Sequence, residues 1–425
     1  MRVMIHRGAN EIGGTCIEIA SEIQAGRIVL DFGRPLDASE VNIESIVPPV
    51  SGIRQGAEDL LAVLISHPHQ DHVGLLDYVH ESIPIGIGAA AKRILDRTSF
   101  WLDKPGLRNR ETIEWVSRKT VDIGPFKITP YLVDHSAYDS YALLIQCDGQ
   151  KLFYSGDFRG HGRKQYLFSE ILKNPPKDID VLMMEGTVVG RDQDHQEFVT
   201  EGELEDQFLH HFRETDRLSL VWTSAQNIDR IVTVYRAAKR ANKRLILDAF
   251  TAEMLMATEN PNVPQPAWER HIGVYVPKWM QRRIAYTSQF QLLKPFEKNR
   301  VYLESLARSR NDVMLFRPGL LNEVSAHLSS AIGQLVYSNW TGYLEDESTF
   351  RVREWLEEMQ IPLRIAHTSG HASLSDLRRF SSAISARCVV PIHSFHGDDF
   401  KDHFSNITRR SDGEWWSIDS NNKED

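Results

Sequence analysis

Four side chains that can bind a metal ion lie within six residues of one another. The stretch from residue 64 to 74 reads LISHPHQDHVG, and the four are His67, His69, Asp71 and His72. Neutral imidazole and carboxylate are good zinc ligands, and two adjacent ligand pairs exceed what one tetrahedral ion needs. The cluster therefore predicts a site for two metal ions. The alternative is a set of solvated polar residues in a loop.

The elements on either side of the cluster explain how its side chains can converge. An apolar run from Leu60 to Ile65 precedes it and predicts a buried strand, and a helical pattern from Val73 to His80 follows it. We therefore place the cluster at the tip of a strand-to-helix turn.

Three further potential ligands also follow apolar segments that predict strands, namely His135, Asp157 and His393. Each alone could be an ordinary strand-end residue, but with the first cluster they form a set that can coordinate two metals, with Asp157 as a bridge. Asp31 closes another predicted strand. We expect it to accept a hydrogen bond that orients a histidine ligand, unless it is only a turn residue.

Composition narrows the class of protein. The chain has 425 residues, enough for two or three domains, and its 41% hydrophobic and 25% charged residues are typical of globular proteins. The net charge of −9 argues mildly against a protein that coats nucleic acid, although a local cationic cleft stays compatible with it. Three scattered cysteines argue against a disulfide framework. No stretch suits a signal peptide or membrane helix, so we expect a cytoplasmic protein.

The pattern of strands and helices changes along the chain. Up to about residue 185, short apolar strands alternate with polar turns, with helical patterns near Val73 to His80 and Ala89 to Leu102. From about Gly190 to Arg364, strands and helices alternate, which predicts a parallel sheet and a separate α/β domain.

The first pattern returns near Ile361, starting with a strand from Leu363 to Ala366. We therefore predict an α/β protein whose first domain, residues 1–189, is interrupted by an inserted domain, residues 190–364. Residues 365–425 complete the first domain and end in a short polar tail, 419–425, that is predicted to be disordered.

These residues resemble those of a known family. HPHQDH is similar to the HxHxDH signature of the metallo-β-lactamase fold, and Asp31, His135 and Asp157 occur in the order of that fold's other motifs. An insert after the Gly-Asp motif is typical of the β-CASP nucleases. The resemblance implies a metallo-β-lactamase αββα sandwich with an inserted β-CASP domain.

Three motifs beyond the shared signature narrow the resemblance to nucleases. Glu185 resembles the acidic motif before the insert, His371 the histidine after it, and His393 the final motif. The stretch from Ser369 to Ser373 is especially similar to bacterial ribonuclease J. Because a histidine at the last motif is usual in RNA-processing members, whereas DNA-repair members tend to have an apolar residue there, His393 favours RNA.

Two departures from ribonuclease J are visible. Its last motif usually continues with Gly-Glu, where this chain has Ser394, Phe395 and His396. About thirty residues follow His393, too few for the extra C-terminal domain that helps ribonuclease J to dimerise. An oligomer is therefore possible but is not supported by the sequence, and a specialised member of the family is expected.

The resemblance implies a mechanism in which two Zn²⁺ ions, or Mn²⁺ ions, activate a hydroxide that attacks the phosphorus of single-stranded RNA. The implied ligands are His67, His69 and His135 for one ion and Asp71, His72 and His393 for the other, with Asp157 shared. Asp71 also counts among the catalytic residues. His371 is the implied general acid, and Glu185 orients it.

Small residues around His371 predict a phosphate-binding turn. Ser369, Gly370, Ala372 and Ser373 precede a predicted helix from Leu374 to Ser385, where free backbone N–H groups and the helix dipole favour an anion. Ser373 could instead act only as the helix N-cap. In the insert, Ser224 and Asn227 are weaker candidates for substrate contact.

The function predicted from the sequence is therefore RNA phosphodiester hydrolysis, exonucleolytic, endonucleolytic or both. The alternatives are a DNA nuclease of the same fold, a catalytically silent RNA-binding scaffold, and a hydrolase of small molecules.

Overall fold

A computed structural model describes residues 1–36, 43–104, 106–191 and 197–418, so the predicted tail, 419–425, lies outside the described residues. The chain forms two compact units. Unit 1 comprises Met1–Leu95, Pro105–Glu197 and Gly370–Asp425, and unit 2 comprises Asp96–Lys104 and Phe198–Ser369.

Unit 1 contains two β-sheets. Its strands are β1 (Arg2–Arg7), β2 (Cys16–Ala20), β3 (Arg27–Leu30), β4 (Leu60–Leu64), β5 (Ile85–Gly88), β6 (Thr112–Trp115), β7 (Val121–Ile123), β8 (Phe126–Val133), β9 (Ser140–Cys147), β10 (Gln150–Tyr154), β11 (Val181–Glu185), β19 (Cys388–Ile392) and β20 (Trp415–Ser417). One sheet has the order β20-β1-β2-β3-β4-β5-β6 and the other β19-β11-β10-β9-β8-β7.

The helices of unit 1 flank these sheets. They are α1 (Ile43–Ile46), α2 (Gln70–Val73), the first part of α3 (Ala89–Leu102), α4 (Gln165–Lys173) and α12 (Leu374–Ile384).

The apolar core of unit 1 lies between the two sheets and on their outer faces. Inward-facing residues of both sheets, such as Leu64 and Leu143, share one buried cluster, because alternate residues of a strand point to the same face. Val63 points the other way, into a second cluster with residues of α3. On the second sheet, the ring of Phe153 stacks on Phe380 of α12. The layers are therefore the α/β/β/α sandwich that the sequence predicts.

Unit 2 is built around one parallel sheet with the order β15-β14-β13-β16-β12-β17-β18. Its elements, after the end of α3, are α5 (Glu201–Arg213), β12 (Leu218–Trp222), α6 (Ile228–Arg240), β13 (Arg244–Asp248), α7 (Ala249–Ala257), β14 (Ile272–Tyr275), α8 (Lys278–Thr287), β15 (Arg300–Val301), α9 (Leu303–Leu306), β16 (Asp312–Phe316), α10 (Leu321–Leu328), β17 (Ile332–Tyr337), α11 (Glu347–Glu358) and β18 (Leu363–Ile365).

One predicted strand belongs to a different domain than expected. The strand predicted over Leu363 to Ala366 was placed in the returning first domain, which is wrong, because β18 pairs in parallel with β17 in the sheet of unit 2. The chain passes from unit 1 to unit 2 between residues 197 and 198 and returns to unit 1 between residues 369 and 370. The sequence predicts these two boundaries at 189–190 and 364–365.

The helix predicted over Val73 to His80 is also wrong. A short helix, α2, ends at Val73, and a separate 3₁₀ turn follows at Leu76–Tyr78.

Hydrogen bonds from outside the helix explain this break. The carbonyl of Asp71, which would accept from the N–H of Leu75 in a longer helix, accepts from the N–H of Thr15 at 3.1 Å. The N–H of Leu75 instead donates to the carbonyl of Phe32, also at 3.1 Å. The turn that carries the candidate metal ligands is thus hydrogen-bonded to the segments that contain Thr15 and Phe32.

Among the described residues, no helix is both long and apolar enough to cross a bilayer. The three cysteines, Cys16, Cys147 and Cys388, are free.

Candidate metal centre and active site

The predicted ligands of unit 1 converge because they follow strands that run in the same direction. β3 and β4 are parallel neighbours, and so are β10, β11 and β19. β8 is antiparallel to β9, which is antiparallel to β10, so β8 and β10 also share a direction. The loops after these strands therefore bring distant parts of the sequence together.

The first group of potential ligands consists of three histidines, His67, His69 and His135. One ring nitrogen from each lies within 4.8 Å of the others. The Nδ1 atom of His69 is 3.2 Å from the Nε2 atom of His135. Burial lowers the pKa of His67 and His135 well below the usual value and that of His69 to about 4. These side chains are therefore neutral at pH 7, the form that binds a metal.

The second group contains two carboxylates and two histidines: Asp71, His72, Asp157 and His393. The Oδ2 atom of Asp157 lies 3.3 Å from His72 Nε2 and 3.7 Å from His393 Nε2. It also lies 3.6 Å from His67 Nε2, which belongs to the first group. Asp157 thus occupies the position between the two groups where a bridging ligand would be needed.

Several potential metal-ligand atoms of these two groups have no hydrogen-bond partner within the described part of the chain. They are the Nε2 atoms of His67, His72 and His393 and the Oδ2 atom of Asp157, all of them buried. Burying a polar atom without a partner is costly, and buried polar groups are normally satisfied. The donor set of imidazole nitrogen and carboxylate oxygen therefore fits a divalent metal ion such as zinc.

The charges within the second group also favour a cation at this position. Burial would raise the pKa of Asp157, but the imidazoles of His393 and His72 hold it well below its usual range. Burial opposes protonation of His72, yet the carboxylates of Asp157 and Asp31 raise its pKa well above the usual value. Both carboxylates thus favour positive charge at the His72 imidazole.

Asp31 lies behind the cluster and holds His72. Its Oδ2 atom is 2.7 Å from His72 Nδ1, and its Oδ1 atom accepts from the backbone N–H of Ser66 at 2.7 Å. The hydroxyls of Ser66 and Tyr154 also donate to it. The hydrogen bond to a histidine that the sequence predicts for Asp31 is present, whereas Tyr154 gave no signal in the sequence.

The loop between β1 and β2 supports His393, a contact that the sequence did not predict. The Nδ1 atom of His393 is 3.4 Å from the backbone N of Gly13 and 3.2 Å from Thr15 Oγ1. The backbone N–H of His393 donates to the carbonyl of Gly8 at 2.7 Å. The Nε2 atom is left to face the carboxylates of Asp71 and Asp157.

A buried ion pair connects the loops that carry His135 and Asp157. Asp134 and Arg159 follow β8 and β10, and Arg159 Nε is 3.3 Å from Asp134 Oδ1, with both side chains fully buried. Gly162 leaves room for the pair, since a Cβ atom there would lie 2.4 Å from both side chains. Sequence reasoning missed this pair, although each member is adjacent to or two residues from a predicted ligand.

His371 lies beside the second group and pairs with Glu185. The Nδ1 atom of His371 is 3.3 Å from the Glu185 carboxylate and 3.8 Å from Asp157 Oδ2. Burial would lower the pKa of His371, but the Glu185 carboxylate raises it to about 9. Glu185 itself accepts from the backbone N–H groups of Phe158 and Thr187. The pair therefore has the contact that the sequence predicts for an oriented imidazole.

The predicted substrate-binding residues are placed in different surroundings. Ser373 is the N-cap of α12 and accepts from the N–H of Asp376 at 3.2 Å, which is the capping role weighed from the sequence. Ala372 is buried, and a Cβ atom on Gly370 would lie 2.5 Å from Ser136 Oγ. Ser369 belongs to unit 2, as does Ser224.

In unit 2, Ser224 is exposed, and its hydroxyl accepts from the N–H of Gln226 at 3.2 Å. The side chain of Asn227 caps α6. Their roles in substrate contact stay predictions.

Comparison with known proteins identifies the class. The profile of the Beta-lactamase superfamily domain matches residues 36–215. A crystal structure of a protein of unknown function from Enterococcus faecalis superposes with a TM-score of 0.78 at 22% identity, covering 98% of this chain and 99% of that one, which supports the fold alone. The chain thus contains a metallo-β-lactamase-fold domain.

Curated relatives to which this chain is similar include ribonucleases J. Ribonuclease J of Mycoplasma genitalium is 22% identical over 408 residues, which is 91% of this chain and 66% of that protein. Ribonuclease J of Helicobacter pylori is 26% identical over 162 residues, 36% of this chain and 22% of that protein. The chain is therefore homologous to ribonucleases J, and it spans less than two thirds of the length of the relatives it matches.

Proposed function

We propose that this protein is a metal-dependent ribonuclease that hydrolyses RNA phosphodiester bonds, with unit 2 as a β-CASP insert. The observation that carries the proposal is the position of Asp157, whose Oδ2 atom lies within 3.8 Å of His67, His72, His393 and His371. One carboxylate thus joins two metal-ligand groups to a potential proton donor. The homology to ribonucleases J supports RNA as the substrate.

The proposed metal content is two Zn²⁺ ions per chain, with Mn²⁺ as the alternative. His67, His69 and His135 would hold one ion, and Asp71, His72 and His393 the other, with Asp157 shared. When bound, the ions would supply positive charge against the phosphate oxygens and a nucleophile at neutral pH.

His371 and Glu185 would handle the proton of the leaving group. An imidazole that is protonated at pH 7 can donate a proton to the departing 3′-oxygen, and a hydrogen-bonded carboxylate fixes the ring and stabilises its charged form. The Glu185 carboxylate is in turn fixed by two backbone N–H groups. The Glu185 carboxylate therefore holds the His371 ring through Nδ1.

The experiment compares cleavage of end-labelled single-stranded RNA and single-stranded DNA of the same sequence by the metal-loaded protein. We expect cleavage of RNA, and the product ladder will distinguish exonucleolytic from endonucleolytic action. Preferential cleavage of DNA would instead establish the alternative, a DNA nuclease of this fold.

A matched pair of variants completes the experiment. Asp71→Ala removes a proposed ligand and should reduce cleavage to the level of the protein-free control. Asp77→Ala removes an exposed carboxylate six residues further along and should cleave like the wild type. Equal activity of all three proteins would refute the assigned site.

A further inference from the structure

Unit 2 carries a cluster of positive charge that contrasts with the rest of the chain. Between residues 278 and 302 there are six lysine or arginine residues and one glutamate, in a protein with a net charge of −9. Arg283 is neutralised by Asp103, which its guanidinium contacts at 2.7 Å. Lys278, Arg282 and Arg300 are exposed.

Helix α8 presents part of this charge on one face. Lys278, Arg282 and Tyr286 are four residues apart and so lie on the same side of the helix. Met280 and Ile284 are buried on another side. Large aromatic residues are usually covered, yet Tyr286 is 85% exposed.

The short strand β15 and the residue after it contribute to the same surface. Lys278, Gln281, Arg300 and Tyr302 all line one small pocket, of about 100 Å³. The guanidinium of Arg300 lies over the ring of Tyr302, 5.2 Å from its centre, and Tyr302 is 57% exposed. We call Lys278, Arg282, Tyr286, Arg300 and Tyr302 the basic aromatic surface.

Acidic residues nearby offset only part of this charge. Glu304 and Glu323 also line the pocket. The carboxylate of Glu323 is occupied by the hydroxyl of Tyr275 and by the backbone N–H of Lys278. The three cations of the basic aromatic surface remain exposed to solvent.

We infer that the basic aromatic surface binds single-stranded RNA. Lysine and arginine bind backbone phosphates, and exposed aromatic rings stack on bases that a single strand leaves unpaired. Arginine held over a tyrosine ring adds a planar cation to the stacking surface. This inference rests on the proposed function for its substrate class, and it assigns a binding role to residues outside the metal-ligand cluster.

The experiment measures binding by fluorescence anisotropy with a labelled single-stranded RNA of about 20 nucleotides. All proteins carry Asp71→Ala, so that cleavage does not enter the measurement. Lys278→Glu with Arg282→Glu should weaken binding at least tenfold, and the slope of log Kd against log salt should fall by about 2. Tyr286→Ala should weaken binding about fivefold or more and leave the slope unchanged, because stacking releases no counterions.

The matched control is Lys173→Glu with Lys177→Glu, two exposed lysines of unit 1 whose reversal changes the net charge equally. It should bind RNA like the parent protein. If both charge reversals weaken RNA binding equally, or if neither weakens it, the inference is overturned. If the first double variant does not fold, Lys278→Gln with Arg282→Gln and Tyr286→Ala give the same test with milder changes.

Two further outcomes are decisive. Binding to anionic phosphatidylserine vesicles that is lost in the Lys278 and Arg282 variant, without an effect on RNA binding, would make this a lipid-binding surface and overturn the inference. If the proposed function is wrong, the result is different: the wild type does not cleave RNA, while the variants still differ in their affinity for RNA.

Discussion

At the scale of single residues, burial decides the chemistry of the candidate centre. His67, His69 and His135 are held neutral by burial, whereas His371 is held charged by Glu185. Histidines with the same intrinsic pKa thus differ in charge at pH 7, since burial and a neighbouring carboxylate shift the pKa in opposite directions.

Replacing His371 with alanine tests its role as a proton donor. We expect kcat for RNA cleavage to fall by about 10²–10⁴-fold, because general acid catalysis contributes this much, while the zinc content stays unchanged. A substrate with a p-nitrophenolate leaving group needs no proton and should be much less affected. His210→Ala, at a largely exposed histidine, is the control. An equal loss on both substrates would assign His371 another role.

Replacing Asp31 with asparagine tests whether it positions His72. The substitution keeps the shape of the side chain but removes the charge that faces His72 Nδ1. We expect zinc affinity to fall by about 10–100-fold, as measured by competition with a chelator, because partners behind a ligand orient it and raise its basicity. Asp122→Asn, at an exposed ion pair with Lys127, should leave zinc affinity unchanged. Unaltered affinity in Asp31→Asn would contradict the role.

At the scale of secondary-structure elements, the turn after β4 depends on close packing of backbone. A Cβ atom on Gly33 would lie 1.6 Å from the carbonyl oxygen of Asp71, so this position accepts only glycine. The segment after β3 and the turn that carries the ligands therefore touch backbone to backbone.

Gly33→Ala should consequently displace the ligand turn. We expect the free energy of unfolding to fall by about 3 kcal/mol, as for overpacked interiors, and the zinc content to drop below two per chain. Gly319→Ala, where a Cβ atom meets nothing within 4 Å, is the control and should change neither. Denaturant unfolding and metal analysis measure both effects, and wild-type values for Gly33→Ala would show that the turn is not constrained in this way.

Much of the fold could be predicted from periodicity. The helix α3, Ala89–Leu102, lies where the helical pattern predicts it, since it is a long segment with one clear pattern. The helix predicted over Val73 to His80 failed because Thr15 and Phe32, distant in sequence, take its hydrogen bonds. The strand at Leu363 was assigned to the wrong domain because the local sequence pattern does not determine which strand it pairs with.

The candidate site, too, could be predicted from the sequence only in part. The ligands of the first cluster could be predicted from spacing, and the others from their position after strands and from the resemblance. The residues that hold them, such as Thr15 beside His393 and Arg159 beside Asp134, could not, because each contact depends on the tertiary structure.

Within unit 2, helix α6 is anchored by a buried ion pair. The guanidinium of Arg230 contacts Glu201 at 3.1 Å, and both side chains are fully buried. Arg230 also donates to the backbone carbonyls of Ser338 and Thr368.

Arg230→Met should destabilise the protein by about 3–5 kcal/mol, because it leaves the Glu201 carboxylate buried without its partner. Arg236→Met, also on α6, breaks a pair with Glu205 of α5 in which the arginine is more exposed, and it should cost less than about 1 kcal/mol. Denaturant unfolding compares the two. Similar small losses would mean that the buried pair does not anchor α6.

At the scale of the whole molecule, the candidate metal centre connects distant parts of the chain. Its ligands come from loops after four different strands of unit 1, the first after β4 and the last after β19. An ion bound only in the folded state stabilises that state, so removal of metal by a chelator should lower the thermal unfolding temperature as well as activity.

If these residues hold two metal ions that support RNA cleavage, a metal titration will show it. Metal-free protein is titrated with Zn²⁺, or with Mn²⁺, while cleavage of labelled single-stranded RNA is followed. We expect no cleavage without metal and a rise in activity that saturates at two equivalents per chain. Cleavage that persists in the metal-free protein, or that saturates with fewer than one bound ion per chain, would contradict it.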